Sequence, residues 1–181
     1  MKKILTFSFC GLLFLSTSNL SAQVKEGKET KKELREERRK EERIKQAQQN
    51  IANIESLNFS FYPTTIEPEF GVTNELNGVN NFYFTVDKTI LYMSLPYVGN
   101  FYVNPITPNG APINITSNKF TYSVQSVDNV NMKVTIIPSD LMSVMNEGIQ
   151  FVLYMNKNTG YARLVMTAEN RQEVTYTGTF N

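Results

Sequence analysis

From Leu57 onward the apolar residues recur at every second position, and this alternation constrains the fold more than any other feature. Phe59 and Phe61 alternate with Ser60 and Tyr62, and Phe82, Phe84 and Val86 alternate with Tyr83 and Thr85. Phe120, Tyr122 and Val124 alternate with Thr121 and Ser123, and Val130, Met132, Val134 and Ile136 alternate with Asn131, Lys133 and Thr135. A period of two puts one set of side chains on one face of a strand and the other set on the opposite face. Short polar turns join the runs: Asp87-Lys88, Asp128-Asn129, Asn156 to Gly160, and Asn170-Arg171-Gln172. Eight or nine strands at hairpin spacing follow, including short ones near Phe101 to Asn104 and Ile113 to Thr116. The fold class expected is mainly β, a small antiparallel β-barrel or sandwich, and up-and-down connectivity favours a barrel that closes its own edges.

Two stretches interrupt the rhythm. Pro96, Pro105, Pro108 and Pro112 crowd one region, which reads as a turn-rich loop or edge because proline cannot donate to a central ladder. Pro138 to Gly148 is expected to hold one helical turn, capped by Ser139 or Asp140.

Before Leu57 the composition is different. Lys25 to Lys45 carries ten basic and seven acidic residues in 21 positions, with Gly27 and no proline. Lys, Glu, Arg and Gln are good helix formers, and Glu36–Lys40 and Glu41–Lys45 are favourable i,i+4 pairs. Leu34 is the one apolar residue between Lys25 and Arg43, so a coiled-coil seam is not expected there. Ile44, Ala47, Ile51 and Ile54 then form a stripe on one helical face, which is expected to dock on the domain. The chain therefore divides into residues 1–22, residues 23–56 as a charged helical spacer, and residues 57–181 as the β domain.

Residues 1–22 have the three parts of a secretory signal peptide. Lys2 and Lys3 are positive, Ile4 to Leu15 is apolar apart from Thr6, Ser8 and Gly11, and Ala22 is small enough for the residue before the cut. The apolar run spans 12 residues, well short of the roughly 20 that a membrane span needs. Cys10, the one cysteine, lies inside this leader. The mature chain would then have no thiol for disulfides, metal sites or nucleophilic catalysis. The location expected is exported, in the periplasm or cell envelope, with no integral membrane segment after cleavage.

The residue inventory excludes much chemistry. The chain has no histidine, which removes the commonest general base and metal ligand. Lysines of the domain sit in turns or on polar strand faces, where they stay protonated and make poor bases. Glu67, Glu69 and Glu75 are close in sequence, and a carboxylate-dependent glycan hydrolase is the enzymatic alternative they allow. An acidic surface loop is the simpler account. Asp128 with Asn129 and Asn131 offers oxygen ligands for calcium but lacks EF-hand spacing. The glycines are scattered singly and build no phosphate cradle. The net charge is +1, and the aromatics are interleaved with Thr, Ser and Asn instead of Arg and Lys, so nucleic acid is not an expected partner. Metal, cofactor and catalytic residue are all expected to be none.

The aromatic residues carry the binding expectation. Tyr92, Tyr97, Phe101 and Tyr102 cluster around the proline-rich loop, and tyrosine joins an apolar ring to a polar tip. Tyr92, Tyr97, Tyr102 and Asn104 are candidate ligand-binding residues at a barrel rim. Arg163 is a further candidate, facing either a cavity anion or a salt-bridge partner. Arg171 is placed in a hairpin turn and expected to be solvated.

Several segments recur together in a known family. They are Lys28 to Gln49, Leu95-Pro96-Tyr97-Val98-Gly99-Asn100-Phe101-Tyr102-Val103-Asn104-Pro105, Phe120-Thr121-Tyr122, Ile136 to Asp140, Gly160-Tyr161-Ala162 and Asn170-Arg171-Gln172. In these the chain resembles an exported domain-of-unknown-function family of Bacteroidetes envelopes, over most of its length. The most specific part is the Leu-Pro-Tyr-x-Gly-x-x-Tyr-Val-x-Pro run, where Asn100 stands in place of the family's usual Arg. The resemblance implies an envelope location and a β-rich, lipocalin-like architecture, and it brings no activity. The function expected is a non-enzymatic binding module for a small amphipathic ligand or an envelope component. The alternative is a protein–protein interaction module using the charged helix and the proline-rich tyrosine loop.

Overall fold

The computed structural model describes residues 18–76, 82–102, 112–141 and 147–181, with side chains from residue 31 onward. One helix, α1 (Ser18–Glu55), precedes ten strands. These are β1 (Asn58–Pro68), β2 (Asn74–Glu75), β3 (Tyr83–Asp87), β4 (Ile90–Leu95), β5 (Ile113–Ser117), β6 (Phe120–Ser126), β7 (Asn131–Pro138), β8 (Ile149–Asn156), β9 (Tyr161–Ala168) and β10 (Arg171–Phe180). Of the leader expected over residues 1–22, residues 1–17 lie outside the described chain, and Ser18 to Ala22 are helical. Among the described residues no helix is long and apolar enough to cross a membrane. Of the short strand expected near Phe101 to Asn104, Phe101 forms an isolated bridge to Arg171 and residues 103–104 are not described; of the helical turn expected through Met145, residues 142–145 are not described.

Packing divides the chain after Glu41. In the first unit the described residues are all helical, and the side chains from 31 to 41 are exposed. The second unit, Glu42–Asn181, holds the end of α1 and every strand.

The strands form one antiparallel sheet in the order β5-β4-β3-β1-β10-β9-β8-β7-β6, with β2 added to β1. Paired strands are consecutive in sequence except where β1 pairs with β3, passing over β2, and where β1 pairs with β10, joining the first and last strands of the domain. Curling this sheet brings its first and last strands together, and the chain itself spans the seam. β5 and β6 are separated only by Asn118-Lys119, so one run leaves its pairing with β4 and takes up pairing with β7. Asp140 braces this corner. It accepts from the Ser117 hydroxyl and from the Asn118 N–H at 3.0 Å, while the Ser139 N–H and hydroxyl donate to the Lys119 carbonyl. The Ser117 hydrogen bond holds the Asp140 carboxyl below the usual carboxylate range. The architecture is therefore the barrel of the two expected forms, nearly closed.

The alternation in the sequence maps onto inside and outside. Phe59, Phe61, Ile66, Phe84, Val86, Leu91, Met93, Val134, Ile136, Phe151, Leu164 and Tyr176 all point in and are buried. Phe84 of β3 and Phe151 of β8 are not strand neighbours, yet their rings meet at 5.1 Å. Phe59 of β1 likewise reaches Tyr122 of β6 at 6.5 Å. The interior is crossed by ring contacts between opposing walls at these levels. A shallow groove of about 320 Å³, lined by Ile137, Gly148, Gln150 and Thr167, lies on the outside of the wall.

Near the end of α1, Ala47 and Ile51 of the expected stripe are half-buried and Ile54 is fully buried, while Ile44 at its start is 58% exposed. Asn50, on the same side of the helix, is also buried, donating to the Lys157 carbonyl at 2.7 Å in the β8–β9 turn and accepting from Gln46. The helix ends at Glu55, and Leu57 in the turn that follows adopts the left-handed backbone (φ 54°) more often given to glycine. Lys88 N–H secures it by donating to the Leu57 carbonyl, and the Tyr122 hydroxyl satisfies the Ile54 carbonyl at 2.9 Å. Desolvation at that site raises the Tyr122 phenol above its ordinary range.

Candidate functional site

Where β10 begins, two segments more than 60 residues apart are zipped together. Tyr102 N–H donates to the Asn170 carbonyl, Gln172 N–H donates to the Asn100 carbonyl, and Phe101 pairs with Arg171 between them. The Gln172 side chain returns the contact by accepting from Asn100 N–H at 3.0 Å. Tyr97 is buried beneath, its hydroxyl shared between the Asn100 and Gln172 carbonyls at 2.9 Å each. Tyr176 donates to the Pro96 carbonyl at 2.7 Å. Gly99 permits the wrap, because a Cβ there would lie 2.5 Å from the Tyr97 hydroxyl and 2.8 Å from its ring. Asn100 works here through its backbone N–H and carbonyl.

Arg171 closes the cluster. It is buried and paired with Glu147, itself buried, and its guanidinium lies 5.2 Å from the Tyr97 ring and 5.0 Å from Phe101. This corrects the solvated Arg171 expected in a turn. The turn is Glu169-Asn170, and Arg171 is already the first residue of β10. Glu147 Oε2, Arg171 Nε and Nη1, and Gln172 Nε2 have no protein hydrogen-bond partner among the described residues. Burial lifts the Tyr97 phenol to about 12, although the Arg171 charge pulls against the rise, and burial raises Tyr176 further. A neutral phenol that donates to carbonyls, beside a neutralised ion pair, holds structure. It presents no base or nucleophile.

The residues singled out from the sequence do not converge on one site. Tyr97 packs the end of the barrel with its hydroxyl satisfied locally. Tyr102 is 64% exposed beside it, and Asn104 lies outside the described residues. Arg163 faces outward on β9 with its guanidinium 4.9 Å from the Tyr154 ring, in neither a cavity nor a salt bridge among the described residues. Glu67, Glu69 and Glu75 are exposed. Asp128 closes its own turn, accepting from Val130 and Asn131 N–H and from the Asn131 amide, and these bonds, the side-chain one foremost, lower its pKa. No group of residues able to hold a metal is found among those described.

Tyr92 belongs to a different arrangement, on the outer face. Along one row across the wall, Thr116, Tyr92, Thr85 and Ser60 stand side by side on β5, β4, β3 and β1. In the next row Asn114, Ser94 and Tyr83 do the same. Phe61 pairs with Phe84, so Tyr62 after the one and Tyr83 before the other emerge next to each other. Tyr62 continues through Thr179 to Tyr161 on β9. Tyr62 (44%), Tyr83 (36%), Tyr92 (36%) and Tyr161 (56%) are all exposed. Both rows are free of charge. Asp87 and Arg163 stand at their margins, and elsewhere the outer wall carries Lys133 and Glu173.

Sequence reading missed Glu147 and the outer rows. The former lies in a stretch of sequence with no periodicity, and the latter needs the strand register.

A family model described as a domain of unknown function, DUF4251, matches residues 38–180. No curated protein matches the chain. Among solved structures the chain is similar to a crystal structure of a DUF4251 family protein from Bacteroides eggerthii. The two share 12% identity with a TM-score of 0.54, over 75% of this chain and 86% of that one, which is a likeness of fold.

Proposed function

The chain belongs to the DUF4251 family, whose description carries no activity, and we propose that it is an exported, non-enzymatic binding protein of the cell envelope that works through the outside of its barrel. The observation that carries this reading is the contact between Phe84 and Phe151. Inward-facing rings from opposite walls use the interior for packing, so an envelope component bound outside is favoured over a small amphipathic ligand held within. The exposed tyrosines supply what an interface needs, large rings with polar tips at low cost in conformational entropy.

Two measurements on the full chain test it. A fluorescent fatty acid reports the interior, and co-sedimentation with isolated cell envelopes reports the exterior. The expected result is no saturable fatty-acid binding, together with envelope retention that falls when Tyr83 and Tyr92 are replaced by alanine. Saturable one-to-one fatty-acid binding would return the function to a cavity.

The interaction-module alternative has one observation in its favour. The zipped cluster fixes the 96–102 segment, which then presents Val98 (43% exposed) and Tyr102 to solvent. Retention that survives loss of Tyr83 and Tyr92 but not of Tyr102 would move the contact there.

A further inference from the structure

Two adjacent rows on the outer face of β5, β4, β3 and β1 hold only Tyr, Thr, Ser and Asn, with Asp87 at the end of β3 and Glu67 farther along β1 as the charges of those strands. Strand propensity accounts for the Thr and Tyr. It does not account for the absence of Lys and Glu across two adjacent rows, since Lys133, Arg163, Glu67 and Glu173 occupy outward strand positions elsewhere. A charge that must be desolvated opposes binding unless the partner supplies its counter-charge. A face with none is complementary to a neutral partner.

Every polar group in these rows is a hydroxyl or an amide, and each of these both donates and accepts. The partner matched to that set is one rich in hydroxyl groups. Tyr62 and Tyr83 lie side by side, and Tyr92 is diagonal to Tyr83 across the β3–β4 pair, so the register lines up three exposed tyrosines as a strip among the hydroxyls. Sugar rings combine the same two properties, apolar C–H faces and mixed hydroxyl donors and acceptors. We propose that this face binds an uncharged glycan chain, laid along the strip of Tyr62, Tyr83 and Tyr92. The assignment rests on the reading of the protein as a surface-acting binding module, and it names the chemistry of that surface.

The test titrates the full chain with linear neutral hexasaccharides (cello-, manno-, xylo- and chitohexaose), following tyrosine ring resonances by NMR and affinity by calorimetry. At least one hexasaccharide is expected to bind and to shift Tyr62, Tyr83 and Tyr92 while leaving Tyr154 unmoved. Tyr83→Ala should weaken it at least tenfold, and Tyr154→Ala, on the charged part of the wall, less than twofold. All three rings point outward, so the unfolding midpoints of the variants should stay near that of the parent. Tyr83→Ser, which keeps a hydroxyl, is the fallback should the alanine variant unfold.

Binding that maps to Tyr154 and Arg163, or an anionic oligosaccharide that binds better than every neutral one, overturns the proposal. So does envelope retention abolished by proteolysis of the envelopes, which assigns the face to a protein. Silence toward all four sugars, with retention still dependent on Tyr83, removes the glycan and leaves the surface-binding reading. Loss of both removes both.

Discussion

Gly178 and Tyr62 approach so closely that a Cβ on the glycine would overlap the Tyr62 carbonyl oxygen and lie 2.7 Å from Pro63 Cα. The approach falls at the irregularity between Pro63 and Thr65, on the β1–β10 ladder that joins the first and last strands of the domain. The obstacle is backbone, so it cannot rotate away. Gly178→Ala is expected to destabilise the domain by about 3 kcal/mol or more, measured by urea unfolding. Gly148→Ala is the control. Its Cβ would meet the carboxylate end of Glu169, an exposed side chain that can swing aside, and the cost should stay below about 1 kcal/mol.

Arg171 and Glu147 give a second expectation. Removing one partner of a buried pair leaves the other charge uncompensated, which typically costs about 3–5 kcal/mol. Arg171→Met and Glu147→Leu should each fall in that range. The double variant should cost much less than their sum, because neither charge then remains. A double-mutant cycle in urea reads the coupling directly, and additive costs would mean that the pair does not act as a unit.

The tyrosines predict an alkaline limit. The Tyr97 phenol is raised from 10 to about 12 by burial, and Tyr122 and Tyr176 are raised in the same direction. Above pH 10 these groups ionise in the unfolded chain while the folded chain still holds their protons. The native state then binds more protons, so stability falls as pH rises. The contribution is complete below pH 10 and, for Tyr97, lost between 10 and 12. Tyr97→Phe should cost about 1 kcal/mol at pH 7 for its lost hydroxyl and then decline less steeply than the parent above pH 10. Parallel slopes from pH 9 to 12 would show that Tyr97 titrates as a free phenol.

Much of the barrel was legible because a strand with one face buried writes its geometry into the sequence. Phe59, Phe84, Val134 and Ile136 fall inside as their alternation requires, and Tyr83, Tyr92 and Thr85 fall outside. The period says nothing about which strands become neighbours, so it could not assemble Tyr62, Tyr83 and Tyr92 into one strip. The stripe of α1 was legible in the same way for Ala47, Ile51 and Ile54, which are covered, but not for Ile44, which is exposed. Its period could not show that the polar Asn50 on the same side would be buried, because that depends on the Lys157 carbonyl of a distant turn. Arg171 was misread because a buried charge is decided by its partner. That partner is Glu147, 24 residues away in sequence.

The contact of Phe84 with Phe151 makes a prediction about cavities. Phe84 and Phe151 fill the barrel from opposite sides, and both are fully buried. Phe151→Ala removes one ring from a site whose walls are held by strand ladders on both sides, so collapse into the space should be limited. The cost expected is about 3–5 kcal/mol, toward the upper end if the walls do not move. An apolar space of that kind stays dry and accepts small apolar guests. Benzene or xenon should therefore bind Phe151→Ala and raise its unfolding midpoint while leaving the parent unchanged. The parent supplies the decisive comparison: if benzene stabilises it as much as the variant, the barrel already holds a guest-sized space, and the case for an outward-acting protein loses its main support.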